Sequence, residues 1–132
     1  MTEKEKEVVA HRLQRARETL ASAKVLEDSH FYFGAINRLY YACFYAVTAL
    51  LATRELASSK HSGVMSLFNR HFVKTGIVGA ALGEFYGDLF ETRHEGDYAD
   101  FAKFSPEEIL DLYDTAIKFI DAIATLIEKE MQ

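Results

Sequence analysis

The chain contains one proline, one cysteine and no tryptophan among 132 residues. A single proline, with no Pro/Gly-rich or low-complexity stretch, predicts long uninterrupted helices. Because one cysteine cannot form an intrachain disulfide, Cys43 excludes a disulfide framework and indicates a reducing, cytoplasmic compartment. The charged N-terminal segment is not followed by the apolar core of a signal peptide, which agrees with that expectation.

The chain also lacks the basic balance of many nucleic-acid-binding proteins. Its net charge is −5, so any contact with RNA must come from a local patch of cations. Hydrophobic residues make up 49% of the chain and charged residues 27%, as in ordinary globular proteins. This length and composition predict one domain, residues 1–132, with a substantial core.

The longest apolar run extends from Phe31 to Thr53 and is long enough for a membrane span. It contains Asn37, Arg38 and four tyrosines, however, and many of its apolar residues are alanines. Such side chains are more typical of a helix that packs inside a protein. We therefore expect a buried core helix here and no membrane partner.

Apolar residues recur at three- and four-residue steps along most of the chain, and no stretch alternates as a strand does. The pattern predicts an all-α bundle with helices at Thr2–Asp28, Tyr32–Arg54, His61–Val73 and Ile77–Arg93, and from Pro106 to about Lys129. The first two helices should be antiparallel because their connection is so short.

Serines mark two of the predicted helix starts. Ser105, Pro106 and Glu108 form the clearest signal in the chain, with serine at the N-cap, proline at N1 and glutamate at N3. Ser58 and Ser59 are candidate N-caps for the third helix.

Gly79, Gly83 and Gly87 recur at four-residue intervals in the fourth predicted helix. Each interior glycine costs roughly 1 kcal/mol relative to alanine, so a compensating contact is expected. The strip permits close approach of another helix, either inside the bundle or across a dimer interface. The acidic residues Glu84 and Asp88 exclude a membrane dimer.

The segment from Phe90 to Tyr98 is the densest cluster of ionisable side chains away from the termini. Because Gly96 breaks helical propagation, we predict that the fourth helix ends here, with Arg93, Asp97 and Tyr98 on its rim. Such a corner can bind phosphate or RNA, or it can tie two helices together.

Arg38 is the only formal charge between Phe31 and Thr53, and Tyr41 lies on the same helix face. The guanidinium must reach water, pair with an acid, or bind an anionic ligand. Asp97 and Glu91 are the obvious acidic partners.

Lys60 and His61 stand at a predicted helix N-terminus, where backbone N–H groups favour anions. Either a phosphate site or simple solvation explains them. His11, His30 and His71 have no acid or histidine at ligand spacing and the chain has no cysteine cluster, so we expect no metal site. No phosphate-binding loop, nucleophile elbow or paired-acid signature is present, and we expect no cofactor.

The order of these features resembles the HEPN superfamily, and within it the small stand-alone UPF0332-like proteins of prokaryotes. The resemblance covers nearly the whole chain and rests on four segments: Ala35–Phe44, Lys60–Val64, Phe72–Gly76 and Arg93–Tyr98. It implies an antiparallel four- or five-helix bundle that usually dimerises. It also implies a frequent partnership with a small nucleotidyltransferase encoded beside it, often as a toxin–antitoxin pair.

Many HEPN domains are metal-independent ribonucleases, with an arginine followed after four to six residues by a histidine at the dimer interface. Arg93 matches that arginine, but the matching later positions are Tyr98, Ala99 and Asp100. His94 follows the arginine directly and would point about 100° away around a helix. RNA cleavage without metal needs an acid or base that works near neutral pH, so binding is the better interpretation.

Arg54 and His61 also satisfy the ribonuclease spacing. They straddle a turn at the wrong place in the predicted bundle, so we interpret this match as chance.

Three functions follow from these observations. The first is a binding or regulatory module, partner of a nucleotidyltransferase, with a nucleotide or RNA held by Arg38, Tyr41, Lys60, His61, Arg93, Asp97 and Tyr98. The second is a ribonuclease toxin in which His94 or Tyr98 replaces the missing histidine beside Arg93. The third is a structural dimerisation module in which Arg38 and Asp97 form a buried pair.

Overall fold

The computed structural model describes residues 1–98 and 104–132, and for residues 94–98 it describes the backbone only. Five α-helices and one π-helical turn contain most of these residues, and no strand occurs among them. The elements are α1 (Glu3–Asp28), α2 (Tyr32–Ala52), α3 (His61–Phe68), the π-turn (Asn69–Val73), α4 (Ala80–Tyr98) and α5 (Pro106–Glu130). The all-α prediction is confirmed.

Two helices begin at side-chain caps. The Oγ1 atom of Thr2 accepts a hydrogen bond from the N–H of Glu5 at 3.0 Å at the start of α1. The Oγ atom of Ser105 accepts one from the N–H of Glu108 at 3.1 Å, which confirms the predicted cap of α5. Each cap contributes about 1 kcal/mol by satisfying an N–H that the helix itself leaves unpaired.

The predicted caps of α3 are wrong, because Lys60 is the N-cap residue and makes no side-chain cap bond. The Oγ atom of Ser58 instead accepts the N–H of Lys60 at 3.2 Å. Ser58 packs so closely on the first turn that a Cβ at Gly63 would lie 2.0 Å from its Oγ atom. Glycine at this position is what permits that contact.

The predicted end of the fourth helix at Gly96 is also wrong, because α4 continues to Tyr98. One glycine costs only about 1 kcal/mol, and a helix already more than four turns long gains a hydrogen bond with each added residue. The helix begins at Ala80 instead of Ile77 because Val78 is buried and its N–H donates to the carbonyl of Phe72 at 2.8 Å.

The third predicted helix is interrupted by the π-turn, in which the N–H of Lys74 donates to the carbonyl of Asn69 at 2.8 Å. The turn leads to a close contact with α4, since a Cβ at Gly83 would lie 2.8 Å from Cγ1 of Val73. Cβ atoms at Gly79 and Gly87 would meet no atom within 4 Å. Of these three glycines, only Gly83 therefore makes a close helix contact inside the bundle, and Gly79 precedes α4.

Helix α2 is the centre of the bundle and packs against α1, α4 and α5. Arg12 contacts Thr48 and Arg15 contacts Tyr45, so residue numbers rise along α1 as they fall along α2. This pattern confirms the antiparallel arrangement of the first two helices.

The buried face of α2 confirms the predicted core helix. By length and apolarity alone this helix could cross a membrane, but 61% of its most apolar window is buried in the bundle. The alanines and leucines on the inner face of α2 are buried. Cys43 lies among them, and burial raises the pKa of its thiol, which keeps the thiol protonated.

Candidate functional site

Tyr40, in the middle of α2, is the residue around which the candidate site is built. Its side chain is fully buried. Its ring stacks on Tyr86 of α4 with centroids 6.1 Å apart and meets Phe90 edge-on at 5.8 Å. Its hydroxyl lies 2.9 Å from Nδ1 of His61, the first residue of α3. One ring therefore joins three helices.

Arg93 lies within the last two turns of α4 and covers this ring. Its guanidinium carbon is 4.8 Å from the centre of the Tyr40 ring and 5.8 Å from the centre of the Tyr41 ring. A cation over a tyrosine ring contributes about 0.5–2 kcal/mol, with the larger values where water is excluded. A guanidinium group is also suited to phosphate, which it binds through parallel N–H groups.

Arg38 approaches Tyr41 from α2 itself. Its guanidinium carbon is 5.0 Å from the centre of the Tyr41 ring, and its Nη2 donates to Oδ1 of Asn37 at 2.8 Å. Arg38 forms no ion pair within the described part of the chain, and Glu91 is exposed. The side chain of the other expected partner, Asp97, lies outside the described residues.

His61 faces the site from α3. Its imidazole stacks on the Phe44 ring with centroids 4.3 Å apart and meets the Tyr41 ring edge-on at 5.5 Å. Burial lowers the pKa of His61 below its usual 6.5, and the positive charge of Arg93 lowers it further. The imidazole is therefore neutral at pH 7 and can accept a proton.

The two buried phenols stay protonated. Burial raises the pKa of Tyr40 to about 12, and it raises the pKa of Tyr86 further still. The Tyr86 hydroxyl makes no hydrogen bond of standard geometry with any described residue, although the Tyr40 phenol is close enough to influence its pKa. Tyr40 therefore acts as a neutral hydrogen-bond partner for His61.

The structure thus brings together four of the predicted site residues: Arg38, Tyr41, His61 and Arg93. Lys60 is exposed next to His61, and its side chain forms no cap hydrogen bond and no ion pair within the described residues. The predicted roles of Asp97, Tyr98 and His94 concern side chains that lie outside the described residues.

Sequence reasoning did not find the two residues that organise the site, Tyr40 and Phe44. Both sit in an apolar run where aromatic residues usually fill the core. The sequence shows Tyr40 next to Tyr41 and three residues before Cys43. Its contacts become visible only once α3 and α4 are docked against α2.

Arg54 and His61, which share the ribonuclease spacing, do not form a site. Arg54 donates two hydrogen bonds to the carboxylate of Glu130, at 2.7 and 3.0 Å, and lies over the Phe72 ring at 4.4 Å. These contacts hold it against α5 and the π-turn.

No group of three potential metal ligands occurs in residues 1–98 and 104–132 as far as their side chains are described.

The chain is similar to a known protein family over most of its length. The HEPN domain family model matches residues 9–128. The chain belongs to the HEPN family. This HEPN protein is 48% identical over 128 residues to "UPF0332 protein" of Thermotoga maritima, covering 97% of the chain and 96% of that relative.

Two relatives from Methanocaldococcus jannaschii have a more specific name. "Putative toxin MJ0605" is 32% identical over 117 residues, which cover 89% of this HEPN protein and 87% of the relative. "Putative toxin MJ0142" is 35% identical over 96 residues, which cover 73% of the chain and 65% of the relative. The resemblance to UPF0332-like HEPN proteins is confirmed.

Proposed function

We propose that this protein is a HEPN module of a toxin–antitoxin pair and that it binds the phosphate groups of a nucleotide or RNA. The relatives named as toxins support the first part. The second part rests on the α2–α4 site, which we define as Arg38, Tyr40, Tyr41, His61 and Arg93.

The convergence of two guanidinium groups on Tyr41 carries the proposal. Their carbons lie 5.0 Å (Arg38) and 5.8 Å (Arg93) from the centre of the same ring. Two guanidinium groups beside one ring concentrate positive charge in a chain that is acidic as a whole, and such a local patch attracts phosphate. The half-buried Tyr41 ring offers a surface on which a base can stack.

Binding of a labelled 12-nucleotide uridine RNA, followed by fluorescence anisotropy, tests the site. Arg93→Lys keeps the charge but loses the planar fork, and charge-assisted hydrogen bonds contribute about 1.5–3 kcal/mol each, so we expect affinity to fall tenfold or more. Arg17→Lys is the matched control, because Arg17 is exposed and bonds Asp121 of α5 at 2.6 Å. It should bind RNA like the unchanged protein.

Two results would contradict the proposal. One is the failure of the unchanged protein to bind either the 12-mer or uridine monophosphate at 50 mM salt. The other is an Arg93→Lys variant that melts at a much lower temperature yet binds RNA normally. The second result would support the structural alternative, in which Arg93 only fastens α4 to α2.

A metal-independent ribonuclease is the second candidate, and the position of His61 favours it. The family motif places an arginine and a histidine near each other in sequence, whereas here His61 reaches Arg93 from another helix. A neutral imidazole next to a guanidinium could accept the proton of the attacking 2′-hydroxyl while arginine stabilises the phosphate charge. Tyr40, at 2.9 Å, orients the ring.

RNA incubated with the protein in excess EDTA decides between the two candidates. A ribonuclease should cut the 12-mer, and His61→Gln should abolish cleavage even when the RNA is present in saturating amounts. His30→Gln is the control, since His30 is exposed in the turn between α1 and α2. Intact RNA at high protein concentration would eliminate this candidate and leave the binding proposal standing.

We also propose the two protein partners that the family resemblance implies, a second copy of the chain and a small nucleotidyltransferase. Co-expression with the product of a neighbouring nucleotidyltransferase gene, followed by affinity purification, tests the second. A stable complex should co-elute at a fixed stoichiometry, and separate elution at micromolar concentrations would contradict it.

A further inference from the structure

A cationic pocket lies beside the α2–α4 site, on the side of α2 that faces α1. It has a volume of about 320 Å³ and opens between α1, the second half of α2 and the loop of residues 53–60. This volume lies at the lower end of the range for small-ligand pockets. We call it the α1–α2 pocket.

Apart from the Tyr45 phenol, the ionisable side chains that line this pocket are all basic. His11, Arg12 and Arg15 line it from α1, and no carboxylate is among its lining residues. Exposed arginines on a helix are usually solvated or paired with acids, and this chain has 20 acidic residues against 15 basic ones. A pocket with cations and no acid is therefore a local exception to the charge of the protein.

Contacts with α2 hold the two arginines in place. Nη1 of Arg12 donates to the carbonyl of Thr48 at 3.3 Å, where a cation also suits the C-terminal end of α2. The guanidinium carbon of Arg15 lies 4.6 Å from the centre of the Tyr45 ring. Arg15 has no acidic partner among the described residues. The Arg15 guanidinium thus lies over the Tyr45 ring as the Arg38 guanidinium lies over the Tyr41 ring.

Aromatic rings connect this pocket to the α2–α4 site. The Phe44 ring lines the pocket and stacks on His61 with centroids 4.3 Å apart. The Tyr45 ring also lines the pocket, and its centroid lies 6.1 Å from that of Tyr41. Alternating cations and aromatic rings along a groove are the features that bind a single nucleic-acid strand.

We propose that the α1–α2 pocket is a second phosphate-binding site, which holds a further nucleotide of the strand bound at the α2–α4 site. The ligand is then single-stranded RNA that spans both sites. A free mononucleotide would occupy only one. This inference rests on the proposed phosphate binding at Arg93, and it adds Arg12, Arg15 and Tyr45 to the binding surface.

The test compares Arg15→Gln with Arg17→Gln, two exposed arginines on the same helix. Anisotropy with the labelled uridine 12-mer is measured between 50 and 200 mM salt, and uridine monophosphate binding is measured by calorimetry. Removing one phosphate contact should weaken 12-mer binding by about three- to tenfold and reduce the slope of log K against log salt by about 0.7. Arg17→Gln should change neither quantity.

The mononucleotide separates this inference from the proposed function. Arg15→Gln should leave uridine monophosphate affinity unchanged, whereas Arg93→Lys should weaken both ligands. If Arg15→Gln binds the 12-mer as tightly as the unchanged protein while Arg93→Lys does not, the second site is wrong and the proposed function stands. If the unchanged protein binds neither ligand, both are wrong.

Two further measurements make the test robust to misfolding. The melting temperature of Arg15→Gln should equal that of Arg17→Gln, because both side chains are exposed. Tyr45→Leu keeps the apolar volume but removes the stacking surface, so it should weaken the 12-mer and leave the mononucleotide unaffected. Normal 12-mer affinity in this variant would also count against the second site.

Discussion

At the scale of single residues, the proximity of His61 to Arg93 is the feature with the most direct chemical consequence. A positive charge beside an imidazole disfavours its protonated form, and burial acts in the same direction. The neutral state of His61 at pH 7 is thus set partly by a residue on another helix.

Removing the charge of Arg93 should therefore raise the pKa of His61. We expect the His61 C2–H resonance to titrate below 6.5 in the unchanged protein and at higher pH in Arg93→Gln. Arg17→Gln removes an exposed charge elsewhere on the bundle and should leave the His61 titration unchanged. An identical titration in Arg93→Gln would mean that burial alone sets this pKa.

The sequence could predict part of the site at this scale. Arg38 and Tyr41 are neighbours on one helix face, so the three-residue spacing was enough to pair them. The contacts of Tyr40 with His61 and Arg93 depend instead on how α3 and α4 dock against α2. No local pattern encodes those distances, because they join segments separated by 21 residues and more.

At the scale of elements, the π-turn and Gly83 form one unit. The two γ-carbons of Val73 lie 2.8 and 3.0 Å from where a Gly83 Cβ would be. Valine is stiff at χ1, so its methyl groups cannot easily move away. The close approach of the π-turn to α4 thus depends on the missing side chain.

Gly83→Ala and Gly87→Ala should accordingly have opposite effects on the free energy of unfolding. At Gly87, where nothing lies within 4 Å, alanine should stabilise α4 by up to about 1 kcal/mol. At Gly83 the clash with Val73 should outweigh that gain and destabilise by about 1–3 kcal/mol. Urea denaturation measures both, and equal effects at the two positions would contradict the packing described for Val73.

The ion pair between Arg54 and Glu130 fastens the end of α2 to the end of α5. Arg54 holds the pKa of Glu130 below its usual 4.5. A carboxyl whose pKa is lowered by folding stabilises the protein above pH 4.5, and this contribution is lost as pH falls through the pKa of the folded state.

Glu130→Gln should therefore destabilise at pH 7 and have much less effect at pH 3. The pair is partly exposed, so we expect a loss of about 0.5–1 kcal/mol at pH 7. Urea denaturation at the two pH values measures it, with Asp114→Gln as a control on an exposed residue of α5. A loss that is the same at both pH values would show that the charge of Glu130 is irrelevant.

The helices themselves were largely predictable because their signals are local. The apolar stripe and the Ser105 cap of α5 contain all the information that its boundaries need. Gly96 misled the prediction, since its local cost is small relative to the packing of the whole helix. The π-turn could not be predicted because it depends on the contact of Val73 with α4.

At the scale of the whole molecule, large apolar side chains are exposed where α1 turns into α2. Val25 and Phe31 are each 64% exposed, and Phe33 is 48% exposed. An exposed surface with several large apolar side chains can be an interaction site. It is a candidate surface for the proposed homodimer.

Sedimentation velocity between 1 and 100 μM tests that surface. We expect a dimer for the unchanged protein and a shift towards monomer for Phe31→Asp, because a buried charge without a partner opposes association. Ile77→Asp is the control, since Ile77 is an exposed apolar residue just before α4. A monomer at 100 μM in the unchanged protein would contradict the proposed dimer.

The position of Tyr40 has a consequence for how long the protein survives in a cell. The same ring closes the hydrophobic core and supports Arg93 and His61, so the binding surface cannot persist once the core opens. A ligand present at one hundred times its dissociation constant would stabilise the folded chain by about 2.7 kcal/mol. Proteases act on opened chains, so a chain without RNA would be degraded faster than an occupied one. The rate at which this protein is degraded would then depend on the concentration of its ligand.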